Sequence, residues 1–422
     1  MREMKVLIVS HNPFSKTFNN GRTLSSIFSS FRKVELCQLY FTPVGELDYD
    51  RCDSYYQITD KDAIVSIFKR KKCGSPVYQN VELVAKDGSV KKRNQNCVTL
   101  MIRSIIWSLS SWKNGGLSTW LSEQKPNLIF YVGGNSIFSH RIAVELSKEL
   151  KVALVSYFTD DYVINPPTNV YSYWLKRYYK RTICQSKMLF AIGEQMAQDY
   201  SAFYNRTFYP VMNVVDIQPI ETVRHKLSSK IHICYFGGLH LGRAEEIIRF
   251  ANFLRDNLGF AIYQKIELKV FSFDTISTNM KRLFEKLDIE MKSGISGDNL
   301  KTEMLNADIF LHVESILPKY HYLTKLSVST KIPEYMSFAR PIIAFGPADV
   351  ASFRLISSVN PELSIDDRDN VDHTSSLDSI LRLIDDNSYL RKLGMNNYMY
   401  ASSQYDKTVV AAKFRKMLEC CF

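Results

Sequence analysis

Short apolar runs alternate along the chain with stretches whose apolar positions recur every three or four residues. In the first half the runs are Lys5–Ser10, Val34–Tyr40, Asn127–Val132, Val152–Tyr157 and Leu189–Ile192. Runs of this length with little polar alternation predict strands buried on both faces. Helical spacing predicts helices over Thr23–Phe31, from about Phe138 to Leu150, and over Glu194–Phe203. The rhythm lapses over Asn213–Arg224, which holds Asp216 and Pro219, and this segment reads as a linker. It then restarts, with strands at Ile231–Phe236, Ile266–Phe271, Ile309–Val313 and Pro341–Phe345. The helices there are Ala244–Asp256, Thr278–Leu287, Leu300–Asn306 and Ile332–Phe338.

Strand, loop and helix in repetition mean parallel β-α-β units. The fold class is therefore α/β with two doubly wound domains, residues 1–212 and 213–400, and residues 401–422 returning to the first. Within that tail a helix runs over about Lys407–Leu418. Two such domains would face each other across a cleft, with ligands bound at the C-terminal ends of the strands. The stretch from about Asp48 to Lys125 fits the rhythm less well. It carries the basic runs Lys69–Lys72 and Lys91–Arg93 and an amphipathic helix. Ile102, Ile105, Ile106, Leu109 and Trp112 fall on one face of that helix, and Trp107 lies off it.

Composition narrows the class without naming it. With 422 residues, 45 % hydrophobic and 23 % charged, the chain is neither disordered nor collagen-like, and no apolar run reaches a membrane span. Its eight cysteines lack metal-ligand spacing, so structural zinc is not expected and a reducing cytoplasm is. The net charge of +11 is uneven. Met1–Met212 holds 28 basic against 17 acidic residues, whereas Asn213–Phe422 holds 26 of each. One basic half argues against a nucleic-acid wrapper and for a single charged face.

The most informative segment begins at Ser329, Thr330 and Lys331. These sit where a helix N-terminus offers free N–H groups to an anion, and Lys331 adds a cation. Glu334 lies one turn on, placed to accept hydrogen bonds from a ribose diol. The segment continues through Ala339, Arg340 and Pro341 into a buried strand ending at Gly346. It resembles the donor-binding helix of GT-B glycosyltransferases, similar to glycosyltransferase family 4 and its relatives. Tyr235–Leu239 with Arg243 resembles the glycine loop and basic residue that open the nucleotide domain. Phe190–Tyr200 and Asn213–Asp216 resemble the last acceptor-domain elements and the hinge.

The resemblance implies a GT-B fold and transfer of a sugar from a nucleotide-sugar to a glycan or lipid-linked acceptor in surface polysaccharide synthesis. Gly237 and Gly238 would let backbone approach the diphosphate. Arg243 and Lys331 would neutralise it, so no metal cofactor is implied. Two departures leave the stereochemistry open. Leu326 stands eight positions before Glu334, where the family usually has a Glu. Thr159, Asp160 and Asp161 stand where many members have a His. Asp160 or Asp161 acting as base on the acceptor hydroxyl would make inversion the outcome.

The loop after the first strand, with Asn12, Asn20 and Gly21, and the turn Gly133, Gly134 and Asn135 would overhang the acceptor site. The Asp-x-Asp pairs at Asp48 and Asp50, and at Asp367 and Asp369, are the alternative pointing to a metal–diphosphate. The basic runs beside the Trp107/Trp112 helix would sit on an anionic membrane surface, making the protein cytoplasmic or peripheral on the inner face of the cell membrane. Two rivals stay open: a nucleotide-sugar epimerase on the same frame, and a non-catalytic nucleotide- or glycan-binding protein. A dehydrogenase is poorer, because no Gly-x-Gly-x-x-Gly follows the first strand.

Overall fold

A computed structural model describes residues 3–16, 19–42, 47–69, 73–79, 96–113, 115–217, 219, 230–368 and 371–422. The chain divides into two compact units: Met1–Val214 together with Lys407–Phe422, and Val215–Asp406.

The strands of unit 1 are β1 (Val6–Ser10), β2 (Leu36–Tyr40), β3 (Ser54–Gln57), β4 (Ser75–Val77), β5 (Leu128–Gly133), β6 (Ala153–Phe158), β7 (Met188–Ala191) and β8 (Tyr209–Pro210). They form one sheet in the order β4-β3-β2-β1-β5-β6-β7-β8, parallel except for the β3–β4 pair. Strands β1, β2 and β5 are buried at every position, as strands covered by helices on both sides must be. The helices are α1 (Asn19–Ile27), α2 (Asp60–Lys69), α3 (Cys97–Leu109), α4 (Gly116–Gln124), α5 (Ile137–Leu150), α6 (Val170–Gln185) and α7 (Glu194–Tyr204).

Unit 2 repeats the plan with β9 (Ile231–Phe236), β10 (Ile266–Ser272), β11 (Ile289–Ser293), β12 (Ile309–Val313), β13 (Ile342–Gly346) and β14 (Ser364–Asp366). Its sheet is parallel throughout, in the order β11-β10-β9-β12-β13-β14. The helices are α8 (Arg243–Leu258), α9 (Phe260–Tyr263), α10 (Thr278–Lys286), α11 (Gly297–Asn306), α12 (Pro318–Thr324), α13 (Ile332–Ser337), α14 (Ala351–Ser357), α15 (Thr374–Asp385) and α16 (Asn387–Gln404).

The last helix, α17 (Lys407–Glu419), belongs to unit 1. Its stripe of Ala411, Phe414 and Leu418 is buried. The Phe414 ring meets Phe28, Phe130 and Phe190 at centroid distances of 5.2, 5.7 and 5.3 Å. Arg415 pairs with the buried Glu35 at 2.7 Å, so the helix is held by both packing and charge.

Helix α3 turns out opposite to its periodicity. Trp107 is 0 % exposed, whereas Ile105 is 56 % and Leu109 65 % exposed. The reason is the indole. It stacks on Phe138 with ring centroids 3.9 Å apart, and its N–H donates to Asp60 at 2.8 Å. One large ring with a satisfied polar edge outweighs three aliphatic side chains in choosing the inward face. Trp112 is buried as well, so neither tryptophan reaches a surface.

Candidate active site

In both units the strand order reverses beside the first strand, between β1 and β5 and between β9 and β12. Connections leave in opposite directions there, so a crevice opens at the C-terminal strand ends.

In unit 1 that crevice is a pocket of about 140 Å³. The ends of three neighbouring strands line it: Ser10, His11 and Asn12 after β1, Gly133, Gly134 and Asn135 after β5, and Thr159 and Asp160 after β6. Leu24 and Tyr162 complete the wall. The topology thus gathers Asn12, Gly133, Gly134, Asn135 and Asp160, which are far apart in sequence. Asn20 falls in the first turn of α1. Gly21 packs under Pro13, where a Cβ would stand 2.2 Å from the Pro13 carbonyl oxygen. Gly21 therefore serves the close approach of its own loop and does not line the pocket.

The adjacent acids differ. Asp161 is buried, and its oxygens accept the backbone N–H groups of Val163, Ile164 and Asn165 at 2.8–3.0 Å. The Tyr200 hydroxyl donates to it at 2.9 Å. Its carboxylate is committed to shaping the turn. Asp160 faces the pocket and accepts from the Thr159 hydroxyl at 3.1 Å.

His11 opens the loop expected to overhang the site but was not itself singled out from the sequence. Its Nε2 is buried on the pocket wall without a hydrogen-bond partner among the described residues. Burial, then the Arg103 charge, lower its pKa to about 3, so the ring is neutral. A histidine directly after the first strand of a doubly wound sheet was the available signal.

In unit 2 the corresponding loop is tightly tied. The Gly237 N–H donates to the Phe271 carbonyl at 3.0 Å. The Leu239 N–H donates to the Asp274 carboxylate at 2.7 Å, and the Tyr235 hydroxyl to the Gly238 carbonyl at 2.7 Å. A Cβ on Gly238 would stand 2.5 Å from the His240 ring. Asp274, which sequence reasoning did not single out, thus already occupies one of the N–H groups of the turn. Burial works against its ionisation, but His240 and that N–H outweigh it and lower its pKa.

Arg243 opens α8 and reaches the buried Glu314 carboxylate at 3.0 and 3.2 Å. Burial opposes its charge, yet the Glu314 carboxylate raises its pKa. His312 lies 3.5 Å from Glu314 and is held by burial to about 4. Lys331 sits at the head of α13, and its Nζ donates to the Phe236 carbonyl at 2.8 Å. The Tyr335 hydroxyl donates to that same carbonyl at 2.9 Å. Lys331 is thereby brought to the residue preceding Gly237 from nearly a hundred positions away. Ser329 is tied through its N–H to Ser352, Thr330 lies between Ser329 and Lys331, and Glu334 lies in the first turn of α13.

Of the Asp-x-Asp alternatives, Asp48 and Asp50 do not form a pair. Asp48 is buried while Asp50 is exposed and bonded to Lys16. Asp367 is buried against Arg249, burial and the Glu246 charge push its pKa up, and Asp369 lies outside the described residues.

No protein-family model matches the chain, and no curated protein does. Solved structures do match in fold. HepE from Anabaena in complex with UDP aligns with 12 % identity and a TM-score of 0.62, covering 99 % of this chain and 100 % of that one. Sucrose-phosphate synthase from Thermosynechococcus elongatus gives 10 % identity and a TM-score of 0.62, covering 99 % and 98 %. TarM gives 11 % identity and a TM-score of 0.60, covering 99 % of each. The chain has the GT-B fold. At these identities the likeness is one of architecture. In the GT-B frame, unit 1 carries the pocket with His11 and Asp160, and unit 2 carries the loop with Arg243 and Lys331.

Proposed function

We propose that the protein is a glycosyltransferase that moves a sugar from a nucleotide-sugar to a glycan or lipid-linked acceptor in surface polysaccharide synthesis, without a metal. The observation that carries this reading is the meeting of Lys331 with the end of β9 beside Gly237 and Gly238. It puts a cation at the switch point of unit 2, in a chain whose fold is shared with HepE, a protein solved in complex with UDP and with UDP-glucose.

In this reading unit 2 holds the donor. Lys331 offsets the charge of the departing nucleoside diphosphate. Arg243 contributes less, because Glu314 already balances it. Glu334 holds the ribose. Unit 1 holds the acceptor among Asn12, Gly133, Gly134 and Asn135. The acceptor hydroxyl attacks the anomeric carbon, the bond to the diphosphate oxygen breaks, and Asp160 takes the hydroxyl proton. His11, neutral and on the same wall, orients that hydroxyl.

Thermal shift with UDP, other nucleoside diphosphates and UDP-glucose tests the donor half. Stabilisation of the wild type, lost in Lys331→Ala and reduced in Glu334→Ala, is the expected result. No stabilisation by any nucleotide refutes the donor site, and stabilisation unchanged in both variants refutes the assignment of those residues. Asp160→Asn is expected to lower turnover by about a hundredfold or more while leaving nucleotide stabilisation intact.

A further inference from the structure

The apolar stripe that α3 turns outward lies beside a second unusual surface. Between α3, α5 and α6 runs a groove of about 190 Å³, walled by Met101, Ile105 and Ser108 on one side and by Tyr171, Trp174 and Tyr178 on the other. Its banks are exposed: Ile102, Ile105 and Leu109 on α3, Tyr173 and Trp174 on α6. An apolar surface of this kind on a globular unit marks a binding face.

Charge identifies the occupant. Neither α3 nor α6 contains an acidic residue, while α6 carries Lys176, Arg177, Lys180 and Arg181. The Arg177 guanidinium lies over the Trp174 ring at 5.5 Å, joining the apolar bank to the basic end. The acids of α5, Glu145 and Glu149, are taken by Lys113 and Arg141. Apolar side chains with tryptophan and tyrosine, grading into four cations that no acid among the described residues pairs with, match the acyl boundary and anionic headgroups of a bilayer. A protein partner would need carboxylates set against each cation, whereas a lipid surface needs only net negative charge.

We propose that the α3–α6 face of unit 1 is the surface by which this protein docks on an anionic lipid bilayer. It differs from the site expected from the sequence, since both tryptophans of the α3 region are buried and the basic runs Lys69–Lys72 and Lys91–Arg93 lie outside the described residues and side chains. The face is wired to the pocket. The Tyr171 hydroxyl donates to the Asn135 carbonyl at 2.6 Å, and Arg103 of α3 donates to Ser136 at 3.0 Å. The segment from Gly133 to Ile137 therefore lines the pocket at one end and the groove at the other. A lipid-linked acceptor, which this part takes from the proposed function, would leave the membrane beside the site that uses it.

Flotation of the full chain with vesicles tests this. The protein should float with vesicles containing phosphatidylglycerol, not with phosphatidylcholine alone, and added salt should release it. Lys180→Glu with Arg181→Glu, and separately Ile105→Ser with Leu109→Ser, should each weaken binding about tenfold or more. These side chains are solvent-facing, so the melting temperature should not change. Absence of flotation, equal binding to both vesicle types, or a lipid-free dimer dissociated by Ile105→Ser would overturn the proposal. UDP stabilisation, measured in parallel, separates the two readings. Flotation without it removes the transferase and leaves the surface; stabilisation without flotation does the reverse.

Discussion

The sheet of unit 1 and the sheet of unit 2 reverse their strand order at equivalent places, yet the two crevices are furnished in opposite ways. Between β1 and β5 the loops stand back around a pocket, and one buried imidazole nitrogen on its wall has no partner among the described residues. Between β9 and β12 the loop is drawn in by Asp274, Tyr235 and Lys331, and its arginine is matched by Glu314. Topology supplies a crevice in each case; the side chains that enter it decide whether it stands open or is filled by the protein's own charges. A diphosphate entering unit 2 would compete with carboxylates already in place. A ligand entering the unit 1 pocket would meet polar groups set back around it.

The largest test of that contrast removes one partner from the closed crevice. Glu314→Ala leaves the partly buried Arg243 unbalanced, and should cost about 3 kcal/mol in urea unfolding. A loss below about 1 kcal/mol would mean that the pair is dispensable and the crevice less closed than its geometry implies.

Next comes pH, because each unit buries a neutral histidine. His140, bonded to Thr182 and the Gly134 carbonyl, and His312, beside Glu314, are both lowered by burial to about 4. In the unfolded chain each takes up its proton near 6.5. Between those values the unfolded state binds more protons. The stability is present above about pH 6.5 and is lost as pH falls toward 4, by up to roughly 3 kcal/mol per histidine. Urea melts at several pH values should show this slope, and His140→Gln should flatten it; an unchanged slope would place the effect elsewhere.

A smaller effect separates the neighbouring acids of unit 1. Asp161→Ala orphans three backbone N–H groups and should cost about 2 kcal/mol, whereas Asp160→Asn should cost under about 0.5 kcal/mol. Equal losses would erase the division between a carboxylate spent on a turn and one that faces the pocket.

Much of this architecture was legible in the chain. The buried runs at Lys5–Ser10, Asn127–Val132, Ile231–Phe236 and Ile309–Val313 read directly as strands, because a parallel strand covered on both faces needs an unbroken apolar segment. Short peripheral elements were not legible. Ser54–Gln57 and Ser75–Val77 carry too few residues to show a period, and Val170–Gln185 hides its helix behind aromatic and basic side chains. Of the candidate site, the loops around Gly133 and Gly237 could be found from their position after strands. Asp274, Glu314 and the orientation of His11 could not, since nothing local marks a residue whose role is to meet another segment.

The sequence by itself determined two α/β units, a positive surplus confined to the first half, and the positions of the turns that end the central strands. These follow from hydrophobic period, charge count and backbone chemistry, which are local. Only the tertiary structure decided that Asp161 is spent on a turn while Asp160 faces a pocket, that Arg243 is balanced by Glu314, and that α3 shows its aliphatic stripe to the outside. Each of those outcomes depends on a partner distant in sequence. Periodicity states how much apolar surface a helix has, and packing against Phe138 and Asp60 states which part of it is covered.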